Sequence, residues 1–210
     1  MKRIIIISLL FSLVTVCEAQ SRYCMTYEDF VKGIWVTVDT FSVTKLYGIG
    51  GNNYKVRSKE KDVKNAFVIA QGDSMYVNCR HLRYQKTKFG SGYVKAWKIG
   101  TRSVLFVNKL IGQEARKEQA MAGVLFGIIG SAVVANEAKK CQVCYVISSG
   151  ADEKGRIDIR LIDDDLIKQM LDEQAPSLLK EYFAESDWKK RIGASRVFPI
   201  LEKSGLIRIN

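Results

Sequence analysis

The sequence predicts an α+β protein: a largely antiparallel sheet, one central apolar helix rich in glycine, and a helical C-terminal part. Three observations predict it. Apolar residues alternate with period two over residues 34–108 and 142–162, in runs joined by glycine turns. Ala120 to Ala135, AMAGVLFGIIGSAVVA, has no charge, and Gly123, Gly127 and Gly130 share one helical face that Ser131 extends. Beyond Ile162 the apolar spacing becomes helical.

The order of segments begins with a leader. Met1-Lys2-Arg3 is a basic start, Ile4 to Val16 is apolar, and Cys17-Glu18-Ala19 puts small residues at −3 and −1 of a cleavage site. Residues 1–19 therefore read as a secretory signal peptide. The competing readings are a membrane anchor, for which an apolar run of about 13 residues is shorter than the roughly 20 that span a bilayer, and a lipoprotein lipidated on Cys17. The expected location is the periplasm, or an association with the outer membrane.

An α+β domain is expected over residues 20–165. Thr26 caps a helix that starts at Tyr27-Glu28-Asp29-Phe30 and stops at Gly33. Trp35 to Leu46 reads as one long β segment, residues 48–53 as a turn or loop, and Tyr54 to Arg57 as a further strand. Ser58 to Lys64 is charged and expected to be exposed. Two hairpins follow, Ala66–Ala70 with Ser74–Cys79 around Gly72-Asp73, and Tyr93–Ile99 with Ser103–Asn108 around Gly100. Gln142 to Ser148 reads as a strand and Arg156 to Ile162 as its antiparallel partner. A helical segment is expected over 166–210: Leu166–Glu173 capped by Asp163 or Asp164, Ser177–Ala184 entered through Pro176, and a turn or two around Trp188. Val197–Leu201 and Leu206–Ile209 are short apolar runs that fit a strand or a tail.

Lys and Arg outnumber Asp and Glu by 33 to 22, a net charge of +11. Such a surplus draws anionic partners. In the cytosol it would suggest nucleic acid. For an exported chain the expected anions are lipid head groups, acidic glycans and envelope polymers, with no nucleic-acid partner.

No catalytic motif stands out, and the expectation is a non-enzymatic protein without cofactor or metal. His81 is the only histidine and has no nucleophile signature with it. Cys79-x-His81 and Cys141-x-x-Cys144 have zinc-ligand chemistry, but both fall in strand-like sequence, where Cys141 and Cys144 point to opposite faces. Cys24, Cys79, Cys141 and Cys144 could form two disulfides in an oxidising compartment or remain buried thiols. Asp163-Asp164-Asp165 lacks the spacing of a calcium loop and suits helix capping.

Two surfaces are candidates for contact. The glycine stripe, Gly123, Gly127, Gly130 and Ser131, can be a buried helix packed on the sheet, a helix meeting membrane, or a surface meeting an envelope protein partner. Sixteen residues at 1.5 Å each give about 24 Å, less than a hydrocarbon core of about 30 Å. The other surface is the segment from Arg80 to Trp97, suited to an anionic or carbohydrate ligand. Arg80, Arg83, Lys86, Lys88, Lys95 and Lys98 supply charge there, and Tyr84, Phe89, Tyr93 and Trp97 supply aromatic faces. The plainer alternative is an ordinary sheet with lysine-protected edges and aromatics turned inward.

Several strings carry a resemblance: Met25-Thr26-Tyr27-Glu28-Asp29-Phe30, Tyr76 to Tyr84 (YVNCRHLRY), Phe106-Val107-Asn108-Lys109, Gly123 to Ala132, and Gln142 to Ile147 (QVCYVI). Together, over Met25 to Ile162, they resemble a family of secreted, uncharacterised Bacteroidetes proteins, a domain of unknown function. The resemblance implies a bacterial envelope location and transfers no activity. The glycine stripe also resembles the glycine-zipper segments of envelope proteins.

Overall fold

The structure is a computed structural model, and it describes residues 20–46, 53–113, 115, 142–171 and 175–208. The α+β class holds. A ten-stranded antiparallel sheet is built from β1 (Ser21–Cys24), β2 (Val36–Val38), β3 (Ser42–Lys45), β4 (Asn53–Arg57), β5 (Val68–Gln71), β6 (Ser74–Asn78), β9 (Tyr93–Ile99), β10 (Ser103–Lys109), β11 (Gln142–Ile147) and β13 (Arg160–Leu161). Its main path runs β13-β11-β10-β9-β6-β5-β1-β2, and the β3–β4 hairpin joins it through β4 against the start of β9. A second, three-stranded sheet contains β12 (Ile157–Asp158), β7 (Leu82–Tyr84) and β8 (Thr87–Lys88), with β12 parallel to β7.

Local chemistry explains most elements. The first helix, α1 (Tyr27–Lys32), has a complete capping box: the Thr26 hydroxyl accepts from the Asp29 amide, and the Asp29 carboxylate accepts from the Thr26 amide, each at 3.0 Å. Gly33 closes the helix with φ 71°. Both expected hairpins form, with Gly72 at φ 55° and Gly100 at φ 58° in their turns. Residues 61–65 form a short helix, α2 (Lys61–Asn65), which buries Val63 although the rest of that charged stretch is exposed.

Two strand expectations need correction. Trp35–Leu46 is interrupted: β2 pairs with β1 and β3 pairs with β4, and Phe41 between them is buried in the core. Arg156–Ile162 is not one strand. Ile157 and Asp158 pair with β7, and only Arg160 and Leu161 pair with β11.

The C-terminal part is helical as expected: α3 (Asp164–Leu171), α4 (Pro176–Phe183), α5 (Trp188–Arg191) and α6 (Ala194–Lys203). The cap of α3 is Asp163, whose carboxylate accepts from the Leu166 amide at 2.9 Å. Helix α6 settles the run Val197–Leu201 as neither strand nor tail. Val197, Ile200 and Leu201 are its buried face, at the i, i+3, i+4 spacing, and Pro199 lies within it.

Paired residues share a sheet face, so the register sorts the core. On one face Val104, Phe106, Val143, Tyr145 and Ile147 pack with Leu82, Ile157 and Phe30. On the other, Leu105, Val107, Cys144 and Val146 pack with the buried residues of α3, α4 and α6. A third cluster joins Tyr23, Phe41, Ile69 and Tyr93 to Val63 of α2. The apolar segment 120–135 lies outside the described residues.

Candidate functional site

The sheet row through Arg22 builds a groove. Arg22 pairs with Ala70, Ala70 with Met75, Met75 with Ala96 and Ala96 with Phe106, so these side chains line up on one face. One step along, the row carries Val68, Val77 and Val94, all buried with Phe30 and Phe67. In the Arg22 row two positions are alanine, too short to fill the space beside α1. The result is a groove of about 750 Å³ that runs from Trp35 and α1 past the Gly72-Asp73 turn to Trp97 and the C-terminal Leu206 and Arg208. That volume is in the range of small-molecule sites.

Its walls are tied down. The Tyr27 hydroxyl donates to the Arg102 carbonyl at 2.9 Å, holding α1 to the β9–β10 turn. The Gly100 amide donates to the Leu206 carbonyl at 3.3 Å, holding the C-terminal wall. Trp97 meets Phe198 of α6 at 4.6 Å between ring centroids.

Four cations line the groove: Arg22, Lys32, Lys98 and Arg208. Two rest on aromatic rings, Arg22 at 4.8 Å from the Trp35 ring and Lys98 at 5.9 Å from Phe30. None of the four forms an ion pair with a described carboxylate. One acid, Asp73, shares the groove; it is exposed, and its carboxylate has no hydrogen-bond partner among the described residues. Like charges gathered without partners repel one another, and an anion in the groove relieves that repulsion.

The residues singled out in the sequence do not form one surface. Arg80 and Lys86 are exposed, and Arg83 is half-buried with its guanidinium on the carbonyls of Arg80 and Leu82. Lys86 sits with Gln85 in a two-residue turn at φ 64° and 48°. Tyr84 and Phe89 turn inward onto Tyr145, at 5.4 and 5.0 Å. Tyr93 is buried, its hydroxyl oxygen 2.9 Å from the carbonyls of Val63 and Ala66 and in contact with Asn78. Burial pushes that hydroxyl's pKa up. Tyr93 thus has a structural place, without a face for ligand. Of the six only Trp97 borders the groove, and its indole packs on the opposite sheet face from Met75 and Ala96, against Phe198. Gly123, Gly127, Gly130 and Ser131 lie outside the described residues.

Residues 22–208 match a family of unknown function (DUF6563). The chain belongs to that family. The match to DUF6563 is longer than the Met25–Ile162 span of the resemblance and takes in both ends of the groove, from Arg22 to Arg208. No curated protein and no solved structure matches the chain.

A smaller cavity of about 390 Å³ lies between the start of α1 and the loop before β12, lined by Glu28, Phe67, Asn78, His81 and Ile157 among others. His81 is exposed there, with no described side chain bonded to it. Cys24, Cys79 and Cys144 are buried free thiols. Burial pushes each of them up to about 12, with Asp29 adding to the effect at Cys24, so all three are protonated at neutral pH and poor nucleophiles. Among the described residues no group of three His, Cys, Asp or Glu is placed to hold a metal ion, and no helix is long and apolar enough to cross a membrane.

Proposed function

We propose that this chain is an exported, non-enzymatic binding protein of a Bacteroidetes cell envelope that holds an anionic ligand in the groove between α1, the Gly72-Asp73 turn and the C-terminal Arg208. The observation that carries this reading is the set of four cations on one groove without a described carboxylate partner. The net charge of +11 supports it by raising the local concentration of anions. The leader-like residues 1–19 support export. The buried, protonated thiols argue against cysteine chemistry. Contact with membrane or an envelope protein partner through Gly123, Gly127, Gly130 and Ser131 is a second part of the proposal, resting on the sequence.

The test uses polyphosphate, an anion without sugar chemistry, titrated at low salt into the chain beginning at Gln20. Arg22→Glu with Lys98→Glu should weaken binding by about tenfold or more, because the pair converts attraction to repulsion inside the groove. Lys64→Glu with Lys190→Glu makes the same change in net charge away from the groove and should cost much less. Equal losses in the two double variants would mean that overall charge, not the groove, attracts the anion.

A further inference from the structure

On the reading that the groove binds anions, we infer that Arg22 and Lys98 together hold one phosphate monoester group, and that the body of the ester lies in the rest of the groove. The first reason is convergence. Arg22 on β1 and Lys98 on β9 belong to the same sheet face, with β5 and β6 between their strands, so their backbones stand three strand spacings apart, about 14 Å. Their charged heads come together over one aromatic pair. The Arg22 guanidinium is 4.8 Å from the Trp35 ring, the Lys98 ammonium is 5.9 Å from the Phe30 ring, and those two rings meet edge to face at 6.2 Å. Ala70 and Ala96, on the same face, are too short to stand in the way of two long side chains leaning inward. Phe30 is buried and Trp35 packs against the same cluster, so both seats are fixed before any ligand arrives. Two like charges seated together repel, and a group with about two negative charges offsets them better than a group with one.

The second reason is the set of free donors. Neither head forms a hydrogen bond or an ion pair with a described residue. A guanidinium presents a planar fork that meets phosphate oxygens in pairs, and an ammonium beside it acts as a point charge. A phosphate monoester has terminal oxygens for both and carries nearly two charges above pH 7. A carboxylate, a sulfate ester or a phosphodiester carries one. Polymers that spread single charges along a chain, nucleic acid among them, bring one charge to a place where the groove has two cations.

The third reason is room. A groove of about 750 Å³ is far larger than a phosphate ion. Val31, Trp35 and Met75 line it on the side of the two cations, and all three are half-buried, so they offer apolar surface to an organic body. An ester supplies such a body and free phosphate does not.

The experiment is titration calorimetry on the chain beginning at Gln20, at pH 8 and low salt, with phenyl phosphate, phenyl sulfate, inorganic phosphate and polyphosphate. Phenyl phosphate should bind at least about tenfold more tightly than phenyl sulfate, which has the same shape and one charge less. Arg22→Gln and Lys98→Gln, made singly, should each weaken phenyl phosphate by about tenfold, the loss of one charge-assisted bond. Lys98 is exposed, so Lys98→Gln carries this test even where a change at the half-buried Arg22 disturbs the fold. If the two cations held anions separately, a ligand with one phosphate would keep the other site, and each single change would cost no more than about twofold. That result, or equal binding of phenyl phosphate and phenyl sulfate, would overturn the shared phosphate while the anion reading stands. Inorganic phosphate should bind at least about threefold more weakly than the ester, for want of apolar contact. Binding as tight as the ester's would make free phosphate the ligand and overturn the monoester. Polyphosphate binding that ignores Arg22 and Lys98 would remove the anion reading itself.

Discussion

Asp164 is held by three hydrogen bonds that join α3, α4 and α5. Arg191 donates through Nε at 2.8 Å and through its terminal nitrogen at 2.5 Å, and the Tyr182 hydroxyl donates at 2.9 Å. The bond from Arg191 is the main cause that holds the Asp164 carboxyl below its usual value; partial burial opposes it and Tyr182 adds to it. Burial, with the neighbouring Asp164, pushes Tyr182 up. A carboxyl depressed in the folded state stabilises the fold at pH above its unfolded value and loses that contribution as pH falls through the folded value. Asp164→Asn should therefore cost about 2 kcal/mol near pH 7, where charge-assisted bonds are lost. The deficit should shrink below pH 4, where the parent also loses the ionised carboxylate. Urea melts of both proteins at pH 7 and pH 3 measure this, and a deficit that does not change with pH would mean that the charge is not what holds the three helices. The sequence showed Asp163-Asp164-Asp165 as capping material. It could not show the division of labour, Asp163 as cap and Asp164 as ion-pair partner, because Arg191 is distant in the chain and arrives through tertiary packing.

Elements were legible where a local signal sets them. Thr26 with Asp29 and Gly33, and the Gly72 and Gly100 turns, act within a few residues, and each forms as expected. Helix α6 was not legible, because Pro199 and the β-branched Val197 and Ile200 speak against a helix locally, while burial of its Val197-Ile200-Leu201 face against the sheet decides in its favour. The groove was hidden for a similar reason: Arg22 and Lys98 are brought together by strand order, and Arg208 by the C-terminal tail that the Gly100 amide holds at Leu206. Of the segment named in the sequence, Tyr84, Phe89 and Tyr93 follow the plainer alternative of aromatics turned inward. Lys86 has a conformational place at this scale, in the β7–β8 turn with φ 64°. A lysine in the left-handed region costs about 1 kcal/mol that glycine does not pay, and part of this returns through the freer unfolded chain. Lys86→Gly should raise stability by about 0.5 kcal/mol and raise the melting temperature slightly. A lower melting temperature would show that the lysine side chain contributes more than its backbone strain costs.

At the scale of the whole molecule, the register of β10 and β11 bears on how the apolar segment relates to the fold. Asn108 pairs with Val143 and Lys109 with Gln142, so the chain leaves the sheet after Lys109 and returns beside the same point. Leu110 and Ile111 are buried, and the Ile111 amide donates to the Tyr145 hydroxyl at 3.1 Å, so the beginning of the excursion belongs to the core. Strands β10 and β11 pair with each other directly, so in the chain the apolar segment lies between two neighbouring strands. Replacing 116–141 by about eight Gly and Ser residues leaves enough chain to span the gap, and shortening a loop changes its closure entropy only weakly. The shortened protein should keep its β-sheet circular dichroism and a melting temperature within a few degrees of the parent, and it should still bind polyphosphate through Arg22 and Lys98. What it should lose is flotation with phospholipid vesicles after a high-salt wash, because salt strips charge-held protein and leaves apolar contact intact. A shortened chain that fails to fold would make Gly123, Gly127 and Ser131 part of the core packing. One that folds and floats as the parent does would move membrane contact away from the glycine stripe.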